Sequence, residues 1–205
     1  FVQMATKTID IQTYIYKNEL TSRLLARELY EAANRGVKIR ILIDDNGISS
    51  DFYDLMMLDN HENIEVRIFN PYFFRFGPDE YFENASVNFT DTDLLFIGNI
   101  AKDAKLNFEE FWNYKRSIPV NLFPSKRKLE KYRKKAKSPE EQAKQYNVGK
   151  ADWEEYLSDM EVFKAKYKNK EFNMTWGEGT FLADSPEKID KGNGPFTTPI
   201  LEALS

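Results

Sequence analysis

Few of the 205 residues can do chemistry by themselves, and those few narrow the choices sharply. The chain has one histidine, His61 in DNHENIEVRIF, and no cysteine. A single imidazole does not build a histidine-based metal site, its polar-loop setting argues against a general base in a Ser/His/Asp triad, and thiolate metal sites and disulfide scaffolds are excluded outright. His61 sits in a polar loop ahead of a strand, the setting of a surface residue, and is set aside. Two aspartate pairs remain, Asp44 with Asp45 and Asp91 with Asp93 in TDTD. Paired carboxylates can hold a divalent cation. At strand ends they more commonly form turns, so no metal is assigned. GEG at Gly177–Gly179 and GNG at Gly192–Gly194 lack the following lysine and the strand-to-helix setting of a phosphate loop and read as turns.

The strongest local charge is KRKLEKYRKKAK, Lys126 to Lys137, with eight basic residues against one glutamate. A basic helix can rest on anionic lipid headgroups, each cation contributing about 1 kcal/mol near the surface. A solvated helix face is the alternative. Net charge of the whole chain is only -4, which predicts neither a nucleic-acid glove nor an acidic tail.

The elements that must position these groups follow from hydrophobic periodicity. TIDIQTYIY, Thr8 to Tyr16, alternates with period two and reads as a strand. Thr21 or Ser22 offers an N-cap, Leu25, Leu29, Ala32 and Ala33 fall on one helical face, and Gly36 stands where a left-handed C-cap belongs. VKIRILI, Val37 to Ile43, is a β-branched strand that runs into the turn Asp44–Gly47. Strand, helix and strand with short connections make a βαβ unit with parallel strands. Ligands of open α/β sheets bind beyond the carboxyl ends of such strands, which places Tyr16, Asn18, Asp44 and Asp45 near a candidate site.

A short helix at Asp51–Leu58, a strand at Ile64–Phe69, a fourth strand at about Asp93–Ile97 and a helix at Ala104–Tyr114 extend the pattern. From Ser125 the chain becomes polar, basic and largely helical. No run approaches the ~20 apolar residues that span a bilayer. The opening FVQMATKTID has neither a start methionine nor a signal peptide, and PILEALS ends within an amphipathic pattern. Both ends predict a piece of a longer protein.

In this order the segments resemble a known family. TIDIQTYIYKNELTSRLLARELYEAANRGVKIRILIDDNG is similar to the opening of a phospholipase D superfamily domain, and IEVRIFNP continues it. PDEYFENASVNFTDTDLLFIGNIAKDAKLNFEEFWNYKRSIPV and TWGEGTFLADSPEKI resemble the bacterial cardiolipin synthases of the C type. The resemblance covers nearly the whole chain. It implies an α/β fold, a phospholipase D-like lobe with a mixed, mainly parallel sheet flanked by helices. Residues 1–124 would form this N-terminal lobe, and 125–205 a helical basic extension leading toward a second lobe.

The family's chemistry is covalent and needs no metal or cofactor. Each lobe carries a His-x-Lys-x4-Asp motif; one histidine attacks phosphorus, the other protonates the leaving alkoxide, and lysines stabilise the phosphoryl charge. The first motif belongs between the strand at Ile64–Phe69 and Asp-Glu-Tyr-Phe. Here that interval is only NPYFFRFGP, so no catalytic residue is assigned. His61, followed by Glu62 and Asn63, does not match the motif.

Three accounts fit: an ordered part of a longer protein joined across a mobile active-site loop near 75–78, a shortened chain, or a natural non-catalytic homologue. Omission of a segment also accounts for the abrupt ends and is the reading adopted. The resemblance then implies a phosphatidyltransferase making cardiolipin at a bacterial inner membrane, with phospholipids, an anionic membrane surface and a second lobe or homodimer mate as partners and no nucleic acid. A phosphodiesterase or nuclease of the same superfamily and a non-catalytic lipid-binding homologue are the alternatives. The expected pocket edge is Tyr14, Tyr16, Asp44, Asp91, Asp93 and Asn113. The expected membrane contacts are Lys126, Arg127, Lys128, Lys131, Arg133, Lys134 and Lys135. Trp153 and Phe163 are either interfacial anchors or core residues of a helical pair.

Overall fold

Alternation of β-branched residues with polar ones builds the first strand, and a β-branched, mostly buried run interrupted by Arg40 builds the second. The computed structural model describes residues 1–16, 20–48, 53–71, 95–123, 150–172 and 174–190. Strand β1 (Thr8–Thr13), helix α1 (Leu20–Asn34), strand β2 (Lys38–Asp44), helix α2 (Tyr53–Asp59) and strand β3 (Ile64–Phe69) follow one another. Helix α3 (Asn99–Trp112), strand β4 (Ser117–Pro119) and helix α4 (Lys150–Lys168) follow among the described residues. The four strands form one sheet in sequence order, β1 to β3 parallel and β4 antiparallel to β3. This is the expected mixed, mainly parallel α/β sheet.

The two faces of the sheet differ in chemistry. On one, Ile39, Ile41, Ile43, Val66 and Ile68 meet Leu29, Tyr30 and Ala33 of α1 and Leu55 and Met56 of α2 in the main core. The buried residues Ala26, Leu29, Tyr30 and Ala33 recur at i, i+3, i+4 and i+7, which keeps them on one helical face. Each fully buried leucine or isoleucine contributes about 1.5–3 kcal/mol, so this face carries most of the stability. Gly36 follows α1 at φ +89, the left-handed conformation that ends a helix without a Cβ penalty.

The opposite face has a small apolar cluster, Leu42, Phe69, Phe108 and Trp112, set among charges. Arg40 of β2 organises it. Its Nε donates to Asp10 of β1 at 2.7 Å, and its two terminal nitrogens make a bidentate pair with Glu109 of α3 at 2.6 and 2.9 Å. The guanidinium also lies 4.8 Å from the Phe108 ring and 5.3 Å from the Trp112 ring. Arg67 of β3 sits over Trp112 at 4.4 Å and donates to its carbonyl. Helix α3 is thus held to the sheet by two arginines as much as by apolar burial.

Several boundaries differ from the sequence expectation. Strand β1 stops at Thr13 because the backbone from Tyr14 to Tyr16 turns to meet Gly47, leaving Tyr16 in an isolated bridge with Ile48. Helix α1 begins at Leu20, so Thr21 and Ser22 lie inside its first turn and are not its N-cap. The fourth strand is not found at Leu95–Ile97, the described part of the Asp93–Ile97 expectation; these residues are irregular and 50–60% exposed. The three residues Ser117–Pro119 take that place in the sheet beside β3. Helix α3 starts five residues earlier than expected.

Helix α4 packs on the outside of α1. Arg27 lies 3.5 Å over the Trp153 ring, and Phe1 meets Phe163 edge to face at 5.5 Å. The Tyr156 hydroxyl is pushed up to about 12 by burial and by Glu28, which also accepts from Gln3. Trp153 and Phe163 therefore make contacts within the helical layer. Residues 126–137 lie outside the described residues.

Arg40→Met removes the donors of Asp10 and Glu109 together and should cost about 2 kcal/mol in chemical denaturation, reduced from the fully buried case because Arg40 is partly exposed. Arg40 holds the Glu109 carboxyl below the ordinary glutamate range. A depressed carboxylate stabilises the fold above its unfolded pKa, near ~4.3, and loses that contribution as pH falls through the lower folded value. The stability gap between the parent protein and Arg40→Met should therefore be full at neutral pH and shrink below about pH 4.3.

Candidate functional site

Parallel strands bring three carboxyl ends to one edge of the sheet: Thr13–Tyr16 after β1, Asp44 at the end of β2, and Phe69–Asn70 at the end of β3. Asp44 caps the short turn Asp45–Gly47, its Oδ1 accepting from the Asn46 amide at 2.9 Å. Burial raises the Asp44 carboxyl above the ordinary aspartate range, opposed by the Asn46 donor and reinforced by Asp45. The turn then ties itself to β1, with the Tyr16 amide donating to the Gly47 carbonyl at 2.9 Å. Gly47 is required by close approach: a Cβ there would stand 1.5 Å from the Tyr14 carbonyl oxygen.

Tyr14, Tyr16 and the Asp44 turn are thereby brought to one edge. The two tyrosines differ in setting. Tyr14 is 61% exposed, whereas the Tyr16 ring packs against the main core and its hydroxyl is raised well above the ordinary phenol value by burial, then by Asp54. Asn113 is the C-cap of α3 and spends its side-chain amide on the Glu109 carbonyl. Asn18, Asp91, Asp93 and the basic residues Lys126, Arg127, Lys128, Lys131, Arg133, Lys134 and Lys135 lie outside the described residues.

His61 stands at the amino edge, ahead of β3. Its Nδ1 accepts from the Asn63 amide, its Nε2 pairs with Asn34 Oδ1 at 3.1 Å, and its ring meets Tyr30 edge to face. Burial, aided by Lys38, lowers its pKa. These contacts make it a tether between α1 and the loop before β3, at the end of the sheet opposite Asp44. Among the described residues no cluster of three or more acidic or histidine side chains could hold a metal, and no helix is long and apolar enough to cross a membrane.

Sequence reasoning missed a second polar group at the carboxyl edge. Asn70 adopts a left-handed φ of +50, its amide donates to the Arg116 carbonyl, and Arg116 Nη1 donates to its Oδ1 at 3.1 Å. Tyr114, Lys115 and Arg116 converge there on Asp190. The triplet YKR directly follows FWN in sequence, but nothing local indicates that Asp190, 76 positions away from Tyr114, meets it. Two cavities lie away from this edge. One, about 350 Å³ and apolar, is between Phe1–Met4, α1 and α4; the other, about 560 Å³ and more polar, is between β1 and α3 beside Asp10, Gln12 and Lys105.

A mixed, mainly parallel α/β sheet with polar groups at its carboxyl edge is the class that the comparisons then specify. The family description "Cardiolipin synthase, PLD-like domain" matches residues 1–101. Two Helicobacter pylori proteins of uncharacterised function are 38% and 37% identical over 97% of this chain and 46% of their own length. Cardiolipin synthase C of Escherichia coli is 31% identical over 58% of this chain and 33% of its own. Residues 1–101 are those of a phospholipase D superfamily domain. Within that superfamily the match is to the cardiolipin synthase type. It spans about half the length of the Helicobacter relatives and a third of the Escherichia one. No solved structure matches.

The alignments also contain positions of the relatives with no counterpart in this chain. The first Helicobacter alignment has 238 positions, whereas 97% of 205 residues is about 199, so about 39 positions of the relative have no counterpart here. For the Escherichia protein, 58% of the chain is about 119 residues against 154 positions, a difference of about 35.

Gly47→Ala forces the new methyl group into the Tyr14 backbone rather than into a flexible side chain. It should destabilise the fold by about 3 kcal/mol in urea unfolding, the upper part of the overpacking range, and should free the Tyr14–Tyr16 segment to exchange its amides faster.

Proposed function

We propose that this chain is a partial N-terminal lobe of a phospholipase D-type phosphatidyltransferase that makes cardiolipin through a phosphohistidine intermediate. The reading is carried by one combination: a lobe of the cardiolipin synthase type whose alignments skip about 35–39 internal positions while the chain itself holds no His-x-Lys-x4-Asp motif. The skipped segment is assigned to the interval near Arg75–Pro78, where the family places that motif. The nucleophilic histidine, its lysine and its aspartate would come from that segment, and the acid from a second lobe or a second copy. This chain supplies the scaffold and the pocket edge at Tyr14, Tyr16 and Asp44. Asp91, Asp93 and Asn113 are kept as the remaining edge candidates, Asn113 acting through its cap of α3.

Membrane contact is assigned to Lys126, Arg127, Lys128, Lys131, Arg133, Lys134 and Lys135. Trp153 and Phe163 have partners inside the protein, so the basic run is the better candidate for lipid phosphates. Such contact would hold the lobe at a bacterial inner-membrane surface.

Incubated with phosphatidylglycerol or phosphatidylethanolamine, the 205-residue chain should form no cardiolipin, and a parent protein containing the skipped segment and second lobe should form it. Cardiolipin made by the chain alone would refute the assignment of the chemistry to absent residues. DNA hydrolysis by the parent without a lipid product would replace phosphatidyl transfer by nuclease activity, and neither product would leave a non-catalytic lipid-binding homologue. Neutralising the seven cations should weaken co-sedimentation with phosphatidylglycerol vesicles by tenfold or more, from about 1 kcal/mol for each surface-adjacent cation. Unchanged sedimentation would return the run to a solvated face.

A further inference from the structure

At the carboxyl end of β3, three donors from consecutive residues point at one carboxylate. Lys115 Nζ lies 2.5 Å from Asp190 Oδ2, Arg116 Nη2 lies 2.6 Å from Oδ1, and the Tyr114 hydroxyl donates to Oδ2. The lobe itself prepositions these donors. Ser117 is locked into the β3–β4 ladder opposite Phe69, the Tyr114 ring lies 6.3 Å from the Phe69 ring, and Asn70 holds both the carbonyl and the guanidinium of Arg116. Asp190, by contrast, belongs to the short turn Pro186–Asp190, which reaches the lobe through Ile189 against the Leu42–Phe69 cluster.

We propose that Tyr114, Lys115 and Arg116 form a phosphate-binding site that the Asp190 carboxylate occupies as an internal competitor. A guanidinium, an ammonium and a phenol converging on one point are the donor set that reads a phosphate, the planar guanidinium taking two oxygens and the ammonium acting as a point charge. A phosphate offers more acceptor oxygens than a carboxylate and carries at least equal charge. The location is the edge at which open α/β sheets bind ligands. Among the described residues, the carboxylates acting on this cluster, Asp190 and Glu187, both come from the one turn. Displacing that turn removes both at once. The pull of Lys115, Tyr114 and Arg116 holds the Asp190 carboxyl far below the ordinary aspartate range, as expected for a carboxylate in an anion site.

The choice of phosphate over other anions rests on the phosphatidyl-transfer reading, but the binding test needs no catalysis. It can therefore fail while transfer by the parent protein stands, and the reverse also holds. Inorganic phosphate and the soluble diester glycerophosphoglycerol are titrated calorimetrically into the full chain at fixed ionic strength, with chloride as control. Removing a competitor that holds the site about nine-tenths of the time raises apparent affinity about tenfold, so Asp190→Asn should bind phosphate about tenfold more tightly than the parent chain. Adding Lys115→Ala and Arg116→Ala to that variant should abolish the gain. In the unmodified chain, phosphate should speed amide exchange at Lys188–Asp190. Tighter binding of the diester assigns the site to a lipid headgroup, and tighter binding of inorganic phosphate assigns it to free phosphate. Equal affinity in Asp190→Asn and the parent chain, retention of the gain without both cations, or unchanged exchange at Lys188–Asp190 overturns the proposal.

Discussion

The guanidinium of Arg40 is the contact on which the second layer of this lobe depends. It joins β1 through Asp10, joins α3 through a bidentate pair with Glu109, and lies against both rings that α3 brings to the sheet. An arginine suits this position because one planar, permanently charged group meets two carboxylates and also lies near two stacked aromatic rings. Without it, Asp10 and Glu109 would be left facing each other across a partly dehydrated gap. The hydrophobic effect needs no such device on the other face, where isoleucine and valine meet leucine, alanine and methionine. One sheet thus has a dry layer that folds it and a charged layer that orients α3.

That division shapes the candidate site. Orientation of α3 fixes where its C-terminus falls, and Asn113, Tyr114, Lys115 and Arg116 follow directly from it. The β3–β4 ladder then returns the chain to Phe69 at the same edge as Asp44. The polar groups at the carboxyl edge therefore come from two sources: the βαβ turns, placed by the dry core, and the α3–β4 corner, placed by the arginine layer. A change in the charged layer should move the second group and leave the first where it is.

Much of this was legible in the sequence wherever a physical period was at work. Period-two alternation located β1, the apolar run located β2 and β3, and Gly36 marked the end of α1 through the left-handed φ that glycine adopts readily. The placing of Tyr16 and Asp44 at the carboxyl edge followed from parallel strand topology, whereas Tyr14 entered with the family resemblance. Legibility ended where the cause was tertiary. Leu95–Ile97 has strand composition but no strand in this chain, because composition states what could pair and not what is present to pair with. Ser117–Pro119 is too short to announce itself, and its pairing is set by the corner after α3. The meeting of Asp190 with Tyr114 joins a turn to a helix end and leaves no local pattern.

Leu95, Phe96 and Ile97 connect these two problems. Three consecutive apolar side chains at 50–60% exposure are uncomfortable in water, and they lie just before α3, whose first half runs beside β1. β1 pairs only with β2, so its other edge has no ladder partner among the described residues. A run such as DLLFI is well suited to a sheet interior, and an open edge is a template for further strands. The lobe thus has an apolar segment without a core and a sheet edge without a neighbour in a chain whose relatives carry about 39 additional internal positions. The dry core depends on neither feature, because β1, α1, β2, α2 and β3 bury one another.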